Sequence, residues 1–128
     1  MNYLLDTHMA IWAIADSTEL PAAARSAVGN LRNEIWVSAA SIWEIAIKHA
    51  KRPEEMPISG SQALAYFAGA GFKLLLIEGH HAAAVDSLPA VHRDPFDRLL
   101  VAQAMVESMT LLTHDGVLAG YGDSVTVV

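Results

Sequence analysis

Four acidic residues stand where this chain could do chemistry: Asp6, Glu44, Asp97 and Asp115. Asp6 ends the apolar run Asn2–Leu5 (NYLL), and Glu44 lies among apolar neighbours in Ser41–Ala50 (SIWEIAIKHA). Asp97 sits in His92-Arg93-Asp94-Pro95-Phe96-Asp97-Arg98, and Asp115 in Thr113-His114-Asp115-Gly116. Oxygen donors with few nitrogens and no sulfur suit Mg²⁺ or Mn²⁺. Such an ion can activate water and stabilise charge on a phosphodiester. Each acid also has a plainer role. Asp6 can cap a following helix, and Glu44 can close a capping box with Ser41. Asp97 can complete the first turn of a helix capped by Asp94, with Pro95 at its first position. Asp115-Gly116 is a common turn pair.

Around these acids lie groups that could support them or bind substrate. Thr7, His8, Asp94 and Thr113 adjoin the carboxylates in sequence and are candidates for holding them in place, although Asp94 reads first as the cap. No pair among the six histidines has the His-Glu-x-x-His spacing of a zinc hydrolase. The histidines read as structural or supporting, with His8 and His114 the nearest to the site and His80 and His81 on a solvated surface. Lys48, Lys51 and Arg52 follow Glu44, and Arg98 follows Asp97. These cations either complement a helix end or contact phosphate. Trp12, Trp36 and Trp43 are expected in the core rather than stacked on bases.

The elements that must position these residues alternate regularly. Strands are expected at Asn2–Leu5, Glu34–Ser38, Phe72–Ile77, Thr110–Thr113 and Ser124–Val128, the third of them buried. Helices are expected over 8–15, Pro21–Leu31, Ser41–Ala50, Ser61–Ala68, 80–88 and Asp94–Glu107, with a loop over Pro53–Gly60. The strands are continuous apolar runs, as in parallel sheets covered on both faces. The expected fold is therefore a three-layer α/β/α sandwich on a parallel sheet of four to five strands. Ligands of such sheets bind at the carboxyl ends of the strands. Acids follow the first, second and fourth strands, and another opens the helix leading into the fourth. Right-handed crossovers bring these ends to one edge. Carboxylates gathered there without cations would repel one another.

Composition sets the outer bounds. A chain of 128 residues, 53% hydrophobic and 17% charged, reads as one folded domain and excludes disorder. With no cysteine, disulfide frameworks, zinc-thiolate sites and Fe–S clusters are excluded. No apolar run approaches the roughly 18 residues of a membrane span. Residues 2–5 read as strand rather than as part of a signal peptide, so a cytoplasmic protein is expected. The net charge of −6 argues against non-specific nucleic-acid binding. That objection weakens where the acids are metal ligands, because bound cations invert the local field.

The segments LLDTH (4–8), SAASIWEIAIK (38–48), LPAVHRDPFDRLLVAQA (88–104) and LLTHD (111–115) run in this order along the chain. In these the chain resembles PIN-domain ribonucleases, and among them the VapC-type toxins of toxin–antitoxin pairs. The resemblance implies a metal-binding and catalytic set of Asp6, Glu44, Asp97 and Asp115, with Asp6 and Asp97 the principal ligands. Glu44 would orient the attacking water. It also implies Mg²⁺ or Mn²⁺, a homodimer, an RNA substrate, and in-line attack leaving 5′-phosphate and 3′-hydroxyl ends. A cognate antitoxin would insert a basic side chain into the acidic cleft and dock a helix on apolar surface near Ile11, Trp12 and Ile14.

Other function classes make different demands. A phosphoacceptor receiver would want an acceptor Asp after its middle strand and a Lys after its last, but no lysine follows Lys73. A haloacid-dehalogenase-type phosphatase would need a second Asp two residues after the first, where this chain has His8. A non-catalytic doubly wound interaction module, its acids all caps, would tolerate Asp6→Asn and Asp97→Asn without consequence.

Overall fold

The computed structural model describes residues 1–128. Its strands are β1 (Asn2–Leu5), β2 (Glu34–Ser38), β3 (Lys73–Leu75), β4 (Thr110–Thr113) and β5 (Val125–Val127). They pair in the order β3-β2-β1-β4-β5, every pairing parallel. The first strand is thus central, and parallel neighbours send all carboxyl ends to one edge. The helices are α1 (Thr7–Ile14), α2 (Ala22–Gly29), α3 (Ala39–Lys51), α4 (Gly60–Gly69), α5 (Gly79–Ala84) and α6 (Pro95–Val106). Short 3₁₀ segments occupy Val85–Ser87 and Gly116–Tyr121. No helix is long and apolar enough to cross a membrane.

The apolar runs of β1 and β4 are explained by the two cores they serve. Successive strand side chains point to opposite faces. Leu4 and its register partner Leu111 enter one core with Leu100, Val101 and Leu118, while Leu5 and Leu112 enter the other with Met9, Ala24 and Ile45. Both faces are therefore apolar, and the fold is the three-layer sandwich. Each fully buried leucine contributes about 2 kcal/mol of transfer free energy.

Local chemistry sets the element boundaries. Asp94 Oδ1 accepts from the backbone N–H groups of Phe96 (2.8 Å) and Asp97 (3.3 Å), and Pro95 opens α6. Gly71, at φ +82°, turns the chain from α4 into β3, a conformation that L side chains resist.

Several expectations need correcting. The third strand is shorter than Phe72–Ile77 and lies at the sheet edge, so Leu74, Leu76 and Ile77 are exposed rather than buried. Helix α3 begins at Ala39 with Ser38 as its cap, whose Oγ accepts from Ala40 N at 3.0 Å. A capping box between Ser41 and Glu44 is therefore not formed. Trp43 projects into solvent at 59% exposure, edge-on to Phe96. His81 is fully buried, not solvated. Its Nδ1 accepts from Glu78 N (2.9 Å), which leaves the proton on Nε2 to be donated to Glu107 Oε2 (2.7 Å). A protonated nitrogen is no ligand, so the cluster of His80, His81 and Glu107 is a hydrogen-bonded tie between α5 and the end of α6.

Candidate active site

At the carboxyl edge of the sheet, beside the ends of β1 and β4, lies a pocket of about 250 Å³. It is lined by Asp6, Thr7, His8, Glu44, Lys48, His92, Asp94, Asp97 and Asp115, with no hydrophobic residue among them. All four acids singled out from the sequence reach it, from the end of β1, from α3, from the first turn of α6 and from the turn after β4.

Each carboxylate has its own set of partners. Asp6 caps α1 through Oδ1, which accepts from Met9 N at 2.8 Å, and its Oδ2 accepts from Thr113 Oγ1 at 2.5 Å. Both the capping role and a place in the pocket therefore hold. Burial pushes the Asp6 carboxyl above its ordinary range, against the opposing pull of these two hydrogen bonds. Glu44 is 5% exposed; its Oε1 accepts from Thr7 Oγ1 (2.7 Å) and its Oε2 from Lys48 Nζ (2.6 Å). Thr7 Oγ1 also lies 2.9 Å from Ser41 Oγ, tying the start of α1 to α3. Asp115 Oδ1 accepts from Val117 N at 3.0 Å, the expected turn, while Oδ2 faces His92 Nε2 at 3.1 Å.

Asp97 is different. The basic nitrogen that approaches its carboxylate is His92 Nε2 at 3.7 Å, beyond hydrogen-bond reach. Burial, and then the nearby charges of Asp94 and Asp6, push this carboxyl up to about 7. Ionised, it is a partly buried charge among like charges, a costly arrangement unless a cation is near. The oxygen-rich donor set fits a hard divalent ion: Asp97 supplies an uncommitted carboxylate, and the other three each retain lone pairs.

The remaining candidates divide. Thr7, Thr113 and Asp94 hold the carboxylates or the helix that carries one. Lys48 is inside the pocket, and Lys51 and Arg52 line an adjoining cleft of about 390 Å³ that shares His8 and Lys48 with it. Arg98 is turned away. Its Nη1 donates to Pro89 O (3.0 Å) and Tyr121 Oη (3.1 Å), and its Nη2 to Val85 O (3.4 Å), so it braces the loop before α6. His114 is also outside the pocket, bonded to Val128 O and edge-on to Trp12. Two histidines line the pocket: His8, as expected from the sequence, and His92, whose ring lies with Asp97 and Asp115 in one cluster. The position of His92 two residues before the cap Asp94 was the one sequence clue to it.

A second, apolar groove of about 370 Å³ adjoins the acidic pocket at His8 and is lined by Ile11, Trp12, Ile14, Met56, Ile58 and Tyr66, among others.

Residues 3–123 match the model of the PIN domain family. No curated protein matches the chain in sequence. Its fold is similar to that of VapBC2 from Rickettsia felis, solved bound to a promoter DNA fragment. There the TM-score is 0.69 at 17% identity, covering 100% of this chain and 98% of the other. It is similar also to a toxin–antitoxin complex from Klebsiella pneumoniae (TM-score 0.67, 16% identity, 98% and 96% covered). A third likeness is FitAcB from Neisseria gonorrhoeae (TM-score 0.63, 19% identity, 96% and 95% covered). These likenesses are of fold.

Proposed function

The chain belongs to the PIN-domain family, and from that premise we propose that it is a Mg²⁺- or Mn²⁺-dependent endoribonuclease, the toxin of a cytoplasmic toxin–antitoxin pair. The observation that carries this reading is the uncommitted carboxylate of Asp97 in a pocket shared with Asp6, Glu44 and Asp115. Four acids at one rim are unfavourable unless a cation joins them, and a hard divalent ion suits their oxygens.

Asp6 and Asp97 are the principal ligands in this reading, completed by Glu44 and Asp115. When bound, the ion supplies Lewis acidity to a water and to the scissile phosphodiester. The protein's own groups do the positioning. Thr113 and the Met9 N–H hold the Asp6 carboxylate at the pocket, and Thr7 holds that of Glu44. Glu44, with lone pairs to spare on both oxygens, orients the attacking water. Lys48 stands at the junction of the acidic pocket and the basic cleft, where it can meet a phosphate; Lys51 and Arg52 extend that path along the RNA backbone. A local basic cleft lets a chain of net charge −6 bind RNA.

The partner follows from the same reading. The related folds are toxin–antitoxin complexes, and the apolar groove beside His8 suits the apolar face of an antitoxin helix. From there an Arg or Lys of the antitoxin reaches the acids. A homodimer is part of the proposal, and the exposed Trp43 and Leu76 offer it apolar surface.

The test is cleavage of RNA by the purified protein with Mg²⁺ or Mn²⁺. Activity should vanish with EDTA, return on adding metal, and fall by at least 100-fold in Asp97→Asn. Cleavage that survives both EDTA and Asp97→Asn overturns the reading.

A further inference from the structure

His92 lies in the irregular segment before α6, yet both nitrogens of its ring are hydrogen-bonded. The Asp94 N–H donates to Nδ1 at 3.0 Å. A neutral imidazole that accepts at Nδ1 carries its proton on Nε2, and Nε2 points at Asp115 Oδ2 (3.1 Å), with Asp97 Oδ2 at 3.7 Å. His92 is therefore a donor to the acidic cluster and not one of its ligands. Its backbone is held in turn. The His92 N–H donates to Tyr121 Oη at 2.9 Å, and Arg98 Nη1 donates to the same oxygen at 3.1 Å while gripping Pro89 O. Gly120 lies against the same loop: a Cβ there would stand 2.8 Å from Val91 Cγ1, so the Val91 side chain would have to shift to admit one.

We propose that His92 is a positioning residue whose Nε2–H holds Asp115 against the Asp97 side of the pocket, and that Arg98 and Tyr121 hold His92 there. The inference rests on the metal-site reading above and deepens it. Asp115 stands at the start of the turn after β4, and its side chain is 40% exposed. Without His92 its one remaining tether is the Val117 N–H on the other oxygen. The carboxylate can then rotate toward water and cease to face Asp97. Hydrogen-bond partners of metal ligands contribute about 10–100-fold to metal affinity.

The experiment is Mn²⁺ affinity by calorimetry on the intact protein, for wild type, Asp97→Asn, His92→Ala, Asp115→Asn and the double variant His92→Ala/Asp115→Asn. His92→Ala should weaken Mn²⁺ binding by about 10-fold. Asp115→Asn should do so by a similar or larger factor, and the double variant no more than Asp115→Asn alone. His92→Gln, whose amide can donate from the same reach, should recover most of the loss. Tyr121→Phe, which keeps the ring and removes the brace, should weaken binding by a few-fold. Additive losses in the double variant, or unchanged affinity in His92→Ala, overturn the assignment of His92 while leaving the metal site standing. Wild-type affinity in Asp97→Asn overturns the metal site and the proposal together.

Discussion

Asp97 concentrates the electrostatic tension of the pocket, and its titration has a definite sign. Its carboxyl is pushed up to about 7 from an ordinary 3.8, chiefly by burial and then by Asp94 and Asp6. Between these values the folded protein keeps a proton that the unfolded chain has released. The free energy of unfolding therefore falls as pH rises through that window and levels off above it. Asp6, also raised by burial, acts in the same direction. In the metal-free protein, Asp97→Asn should gain thermal stability on wild type from pH 5 to about pH 7 and then level off, measured as the difference in Tm between the two. A difference that stays flat over that range contradicts the environment described for Asp97. Protons compete with the ion for this carboxylate, so divalent-ion affinity should climb over the same interval.

Helix α6 brings Asp97 to the pocket from a start set by Asp94 and Pro95. The Asp94 carboxylate serves two backbone N–H groups, one of them that of Asp97 itself. Asp94→Ala should lower stability by about 1 kcal/mol in urea unfolding, whereas Asp94→Asn, which still caps, should lose much less. Equal losses in the two variants would mean that charge, not capping, is what Asp94 contributes. The far end of α6 is held by a different device. Gln103, fully buried, accepts from Ser38 Oγ at 2.6 Å and donates to Leu76 O at 3.3 Å, and beyond it His81 bonds Glu107. This polar chain crosses from β2 to α5 and fixes how α6 lies on the sheet.

At the scale of the whole molecule, the order β3-β2-β1-β4-β5 joins three separate surfaces at His8: the acidic pocket, the basic cleft and the apolar groove. A partner seated in the groove is thus adjacent to the acids without lining their pocket. Tyr66, half exposed on α4, lines the groove but neither of the other two surfaces. On the function proposed above, Tyr66→Ala should weaken binding of the antitoxin by about 30-fold, the ~2 kcal/mol of an interface hot spot, with RNA cleavage by the free protein unchanged. Unaltered antitoxin affinity would move the docking site elsewhere. The amino-acid sequence by itself determined the alternation of elements, the parallel sheet, the start of α6, and the acids Asp6, Glu44, Asp97 and Asp115 as the residues to examine. These are written in local signals: continuous apolar runs, an Asp-Pro cap, acids at strand ends. Only the tertiary structure decided that Glu44 bonds Thr7 rather than Ser41 in a capping box, that Arg98 turns from the pocket, that His92 and not His114 joins it, and that His81 is buried. Each of those outcomes depends on a partner brought from a distant part of the chain by the crossovers, and hydrogen-bond direction between distant segments leaves no trace in local residue spacing.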